Sequence, residues 1–274
     1  MTLPERLCGR PAMAGGHLFV PCVNQGENQL SVYRVPLEGA SDEPQPVLPF
    51  HWLPQHAPGQ ETAALCPLGS DAVLLVDQGR RLLRLEVRTK DLVRSIDQVG
   101  ETFHLPEPMA GNPLLVGNQL LVFDAAGTLY RLDPANPNLE VAAAASTGIQ
   151  PAAGPFLRDN RMIVIDPRQR LVCFSTGPAS EGKPCWISAD PNRGRIRGDP
   201  VLVREVLLVA DNSRNVAGIR LRDGQTLWKE PLRVHVGPAA AAVPYGRDKV
   251  LVPLADGTLL VLSPKPSKPT EARP

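Results

Sequence analysis

A two-strand phrase recurs about six times along this chain of 274 residues, and it constrains the fold more than any other feature. Each copy begins with small residues or proline, continues as an apolar run, turns, and ends in a second apolar run. The clear copies span residues 114–132, 162–174, 206–221 and 250–262, and weaker ones span 18–35 and 73–87. Their starts lie roughly 40 to 50 residues apart, which is the period of a four-stranded propeller blade.

Within a copy, the residues are those of a β-hairpin. Asp256-Gly257 and Ala126-Gly127 stand between the two runs, where Asp and Gly tolerate the positive φ of short turns. The first run is apolar almost throughout, which is typical of a strand covered on both faces. We therefore predict an all-β fold, a single β-propeller of about six four-stranded blades over residues 1–262. A seventh blade is expected only if the first and last residues complete one together.

Composition supports this fold class and excludes several functions. The 30 prolines and 23 glycines disfavour long helices. A net charge of +1 creates no field that would attract nucleic acid or an anionic membrane, and no stretch approaches the roughly 20 apolar residues of a membrane span. The five cysteines are scattered without a close pair, which favours reduced, buried thiols over a disulfide framework or a zinc site.

The two ends of the chain add expectations about location and flexibility. The first residues lack the basic start and apolar stretch of a secretory signal, so the cytoplasm is the default compartment. An envelope-associated or exported protein is expected if the chain is part of a longer one. Residues 263–274 are rich in proline and charge, which predicts a disordered tail or a linker.

Three phrases carry a resemblance to a known family: DGTLLVL at 256–262, AGTLYRLD at 126–133 and RDGQTLW at 222–228. They resemble the propeller repeat of quinoprotein (PQQ) dehydrogenases and their non-catalytic relatives. Trp228 and Trp186 match the tryptophan that docks one blade in that repeat, whereas most other copies lack it.

The catalytic members of that family imply a quinone on the propeller axis, a calcium ion and a catalytic aspartate. This chain has no adjacent cysteine pair, only 4% aromatic residues and fewer than eight predicted blades. The resemblance therefore points to relatives that keep the fold without the cofactor, among them a scaffold of outer-membrane assembly. We predict no cofactor.

Two segments are candidates for binding a partner. One is the proline-rich connector with His51, Trp52 and His56, which we interpret as a surface loop. In this loop Trp52 is a packing anchor or an interface residue, and the two histidines bind a metal ion only in the less favoured alternative. The other is the most basic segment of the chain, which contains Arg193, Arg195 and Arg197. We interpret it as a solvated loop between blades, or alternatively as a binding site for phosphate or an acidic partner.

Four acids follow the apolar strands at corresponding places: Asp77, Asp124, Asp166 and Asp211. Asp closes tight turns by accepting backbone hydrogen bonds, and a ring of carboxylates is also the donor set of a cation site. Turn formation in every blade explains their recurrence better than metal binding does.

These observations predict a non-enzymatic propeller scaffold that binds another protein, or another domain of a longer chain, and no nucleic acid. No catalytic, cofactor-binding or metal-binding residue is predicted. The alternative is a propeller that binds a small ligand, or acts as an enzyme, in its axial funnel.

Overall fold

Strands account for every regular element that the structure, a computed structural model, describes. The described residues are 6–24, 29–37, 47–52, 63–77, 79–177, 182–189, 194–228 and 230–263. Within these ranges, no helix is long and apolar enough to cross a membrane. The chain divides into two compact units, Met1–Gly148 and Ile149–Pro274.

The first unit contains three antiparallel sheets with short additions at its start. Its strands are β1 (Arg6–Leu7), β2 (Gly9–Arg10), β3 (Ala12–Ala14), β4 (His17–Asn24), β5 (Gln29–Pro36), β6 (Phe50–Trp52), β7 (Ala63–Pro67), β8 (Ala72–Asp77), β9 (Arg81–Lys90), β10 (Val93–His104), β11 (Leu114–Val116), β12 (Gln119–Phe123), β13 (Thr128–Leu132) and β14 (Val141–Ser146). The first sheet has the order β1-β4-β5-β6 with β3 also paired to β4, the second β10-β9-β8-β7-β2, and the third β11-β12-β13-β14.

The second unit contains three further sheets, each made of strands consecutive in the sequence. Its strands are β15 (Ala153–Arg158), β16 (Arg161–Ile165), β17 (Leu171–Ser175), β18 (Trp186–Ile187), β19 (Val201–Val203), β20 (Val206–Ala210), β21 (Asn215–Arg220), β22 (Leu232–Arg233), β23 (Val243–Tyr245), β24 (Lys249–Pro253) and β25 (Leu259–Leu262). The orders are β15-β16-β17-β18, β19-β20-β21-β22 and β23-β24-β25.

The six sheets within the described residues match the predicted number of repeats, but the strand count varies. The third, fourth and fifth sheets have the predicted four strands. The first two have five because the short strands β1 and β2 each join a set of four, β2 pairing in parallel with β7. In the sixth sheet, three strands lie within the described residues.

The apolar strands are buried on both faces, as the sequence predicted. In β8, Val73 and Leu75 pack in a cluster with residues of the first sheet, whereas Leu74 and Val76 pack with residues of the third. Side chains alternate between the faces of a strand, so a strand between two covering sheets must be apolar at every position. The five residues of β20 are likewise all buried.

Candidate functional site

The four recurring aspartates are buried at the ends of apolar strands, and three of them close the turn that follows. Asp124, only 1% exposed, accepts the backbone N–H of Thr128 through Oδ1 at 2.7 Å. Its Oδ2 accepts the hydroxyl of Tyr130 at 3.2 Å. Burial and the charge of Asp124 raise the pKa of Tyr130. This carboxylate is therefore committed to its own hairpin.

Asp166 and Asp211 use the residue four positions later in the same way. Asp166 accepts the backbone N–H of Arg170 at 2.9 Å, and Asp211 accepts that of Asn215 at 3.0 Å. Asp77 instead accepts a guanidinium hydrogen bond from Arg81 at 2.5 Å. The contacts of Asp124, Asp166 and Asp211 confirm the interpretation of these three aspartates as turn residues. In the part of the chain that the structure describes, no group of three or more His, Cys, Asp and Glu residues could hold a metal ion.

Trp186 is the docking tryptophan that the sequence predicted. It is buried in β18 and donates its indole Nε1–H to the carbonyl oxygen of Leu221, directly after β21 of the fifth sheet, at 2.8 Å. Its ring packs against Gly224, where a Cβ would approach ring atom Cε3 to 2.5 Å. The position thus requires glycine. Trp228 is half-buried and, like Leu260 and Leu262, packs against the core cluster of the fifth and sixth sheets.

The predicted basic segment lies at the start of the fifth sheet. Arg195 and Arg197 are exposed and Ile196 between them is buried. The backbone N–H of Arg197 bonds to the carbonyl of Ala210 at 2.8 Å, so the segment follows the end of β20. Arg193 lies outside the described residues.

Arg195 borders a crevice of about 250 Å³ within the second unit. Ala153 and Phe156 of the fourth sheet form one side, and Gln169 and Asp199 also reach it. The Gln169 side-chain oxygen accepts the backbone N–H of Ile196 at 2.7 Å, which fixes the segment that carries Arg195. The sequence analysis did not identify Gln169. It lies in a turn 27 residues before Ile196, and no sequence pattern links the two residues.

The predicted connector around Trp52 begins as a strand, which corrects the loop interpretation. Residues 50–52 form β6, in which His51 pairs with Ser31 and Trp52 with Leu30 of β5. His51 is exposed, and its Nδ1 lies 3.0 Å from the Ser31 hydroxyl oxygen. The side chain of Trp52 and all of His56 lie outside what the structure describes.

A second cavity, of about 360 Å³, lies beside the last strand. Trp228, Leu232 and Leu262 supply its apolar wall and Arg233 a charge. Leu259 and Val261 of β25 are 62% and 49% exposed. The described residues provide no strand partner for β25 other than β24.

Stacked antiparallel sheets, aspartate-closed hairpins and a docking tryptophan together define a PQQ-like β-propeller. The family model described as outer membrane protein assembly factor BamB matches residues 71–240 and 139–270, which together make up well over half of the chain. The chain belongs to this BamB family.

Solved structures agree on the fold. The crystal structure of BamB from Moraxella catarrhalis is similar over 98% of this chain and 73% of its own, with a TM-score of 0.61 and 16% identity. The computationally designed protein Ika8 is similar over 93% of this chain and 70% of its own, with a TM-score of 0.64 and 12% identity. No curated protein matches the sequence significantly.

Proposed function

We propose that this chain is a non-enzymatic propeller that binds another protein during the assembly of outer membrane proteins. The family match carries this proposal, because the matched family is described as an outer membrane protein assembly factor. The aspartates that a cation site would need are instead committed to hairpin turns.

The crevice at Arg195 is the contact surface that we propose for the partner. Its volume of about 250 Å³ is below the roughly 300 to 1,000 Å³ of pockets that bury small molecules, and it suits one inserted side chain. Arginine is enriched among the residues that dominate interface energies. The bond from Ile196 to Gln169 holds the backbone beside Arg195 in place before a partner arrives, which lowers the entropy cost of binding.

Affinity capture from an envelope extract tests the proposal. The bait is the full chain, compared with Arg195→Glu and with Arg222→Glu as a matched control, since Arg222 is exposed but does not line the crevice. We expect an outer-membrane assembly protein to be captured stoichiometrically, and Arg195→Glu to weaken binding by about tenfold, or roughly 1.4 kcal/mol. Equal capture by all three baits would show that the crevice is not part of the interface.

The alternative function, a small ligand bound in the axial funnel, makes a different prediction. Native mass spectrometry of the purified chain would then show a bound molecule of constant mass. If that mass appears and no protein is captured, the protein-binding proposal is wrong.

The proposed role also requires the chain to reach the cell envelope. Fractionation of cells that produce the native gene product, followed by immunodetection, tests this requirement. Recovery exclusively in the cytosolic fraction would contradict a role in outer-membrane assembly.

A further inference from the structure

The fourth sheet brings together two cysteines that are 12 positions apart. Cys173 lies in β17, and Cys185 directly precedes β18. The backbone N–H of Cys185 donates to the carbonyl oxygen of Cys173 at 2.7 Å. The register of β17 and β18 places Trp186 opposite Cys173, so Cys185, one residue earlier, is a direct neighbour of the paired position.

The two thiols also influence each other. Burial, and after it the neighbouring Cys185 thiol, raise the pKa of the Cys173 thiol. Neither cysteine is in a disulfide. The backbone bond holds the two residues next to each other on neighbouring segments, which is the first geometric requirement of a disulfide.

The two thiols differ in their access to solvent. Cys173 is fully buried, and burial raises its pKa to about 11 although Arg161 lies 3.9 Å from its sulfur. Cys185 is exposed. Since thiol exchange requires a thiolate that can reach the oxidant, Cys185 is the thiol that reacts first.

We propose that Cys173 and Cys185 form a reversible disulfide that links β17 to β18. The oxidant is a disulfide compound. The Cys185 thiolate attacks one of its sulfurs, forms a mixed disulfide and releases one thiolate. Cys173 then loses its proton to solvent and attacks the Cys185 sulfur, which releases the second thiolate. The protein loses two hydrogens, and the oxidant is reduced to two thiols.

The position of the link indicates what it would do. Cys185 is adjacent to Trp186, whose indole is hydrogen-bonded to Leu221, directly after β21 of the fifth sheet. A disulfide at Cys185 would fasten the strand that carries this docking residue to β17, by closing the segment between residues 173 and 185. Oxidation is therefore expected to raise the melting temperature, and a thiol reductant to reverse the rise.

Intact-mass and peptide analysis of the folded full chain tests the proposal. The reduced protein is incubated with oxidised glutathione, free thiols are alkylated, and digestion with trypsin plus a glutamate-specific protease follows. Trypsin alone leaves both cysteines in one peptide, because Lys183 precedes proline, whereas cleavage after Glu181 separates them. We expect a mass loss of about 2 Da and a disulfide joining residues 171–181 to 182–193.

Two substitutions sharpen the result. Cys185→Ser, at an exposed position, must abolish the linked peptide and the reversible rise in melting temperature. Cys66→Ser, which removes a buried thiol of the first unit, must leave both unchanged. The proposal is overturned if Cys173 and Cys185 both stay alkylatable after exposure to the oxidant. It is equally overturned if glutathione remains on Cys185 without transfer to Cys173.

Discussion

The indole Nε1 of Trp186 and the carbonyl oxygen of Leu221 are hydrogen-bonded at 2.8 Å, although 35 residues separate them in the sequence. Because Trp186 is buried, its indole N–H cannot hydrogen-bond to water, and the bond to Leu221 satisfies this donor. The contact couples the last strand of the fourth sheet to the turn that follows β21.

Replacing Trp186 with phenylalanine keeps most of the packing and removes the hydrogen bond. We expect a loss of about 1 to 3 kcal/mol in the free energy of unfolding, since the Leu221 carbonyl loses its donor. Chemical denaturation measures the change. Trp228→Phe is the control, because Trp228 is only half-buried, and an equal loss there would show that the bond to Leu221 is not the cause.

Replacing Gly224 with alanine should destabilise the packing of the Trp186 ring, because Gly224 lies against that ring. Gly224 has a φ of +72°, and an added Cβ would come within 2.5 Å of the Trp186 ring. Gly246 has a similar φ of +67° with open space around it. Gly246→Ala is expected to cost about 1 to 2 kcal/mol from the backbone alone, and Gly224→Ala more than that. Thermal unfolding of the two variants compares them directly, and equal losses would contradict the packing argument.

The buried pair of Asp124 and Tyr130 predicts a pH dependence at the alkaline end. Burial and the Asp124 charge raise the pKa of Tyr130 in the folded state above its ordinary value of 10.0. The protonated form is favoured by folding, so this stability is present below pH 10 and is lost as pH rises through the folded pKa. Asp124→Asn should lower the pKa of Tyr130, as measured by ultraviolet titration with Tyr130→Phe to identify its signal. An unchanged pKa would contradict the role of the charge.

Because β8 is buried on both faces, substitutions at two neighbouring residues of this strand are expected to destabilise the protein to a similar extent. Leu74 and Leu75 are each 0% exposed and point into different core clusters. Each alanine substitution is expected to cost about 2 to 5 kcal/mol, because each leaves a cavity. Denaturant unfolding measures both. If either substitution were harmless, one face of this strand would have to be open to solvent.

Much of the fold could be predicted because its signals are short in range. The hairpin of β12 and β13 follows from two apolar runs joined by residues 124–127, and Asp124 closes it within four positions. The same reasoning identified the other three aspartates. The match of Trp186 to a docking position was also correct, because the position of the tryptophan within the repeat is part of the local sequence pattern.

The candidate site was predicted less well. Trp52 and His51 were assigned to a loop, but β6 pairs with β5 through a register that no local pattern specifies. The crevice at Arg195 depends on Gln169, whose side chain reaches the backbone of Ile196 from another sheet. A proline-rich or arginine-rich segment can be recognised from its composition. The residues that it contacts in the fold depend on packing between distant parts of the chain.

By itself, the sequence determined the strands, their turns and the number of sheets, because side-chain alternation and turn chemistry act over a few residues. Only the tertiary structure decided that the backbone of Cys185 bonds to that of Cys173 and that Trp186 reaches Leu221. Both contacts depend on strand register and on how one sheet packs against the next. Those features arise from many weak interactions summed over a whole unit, and no single segment of the chain records them.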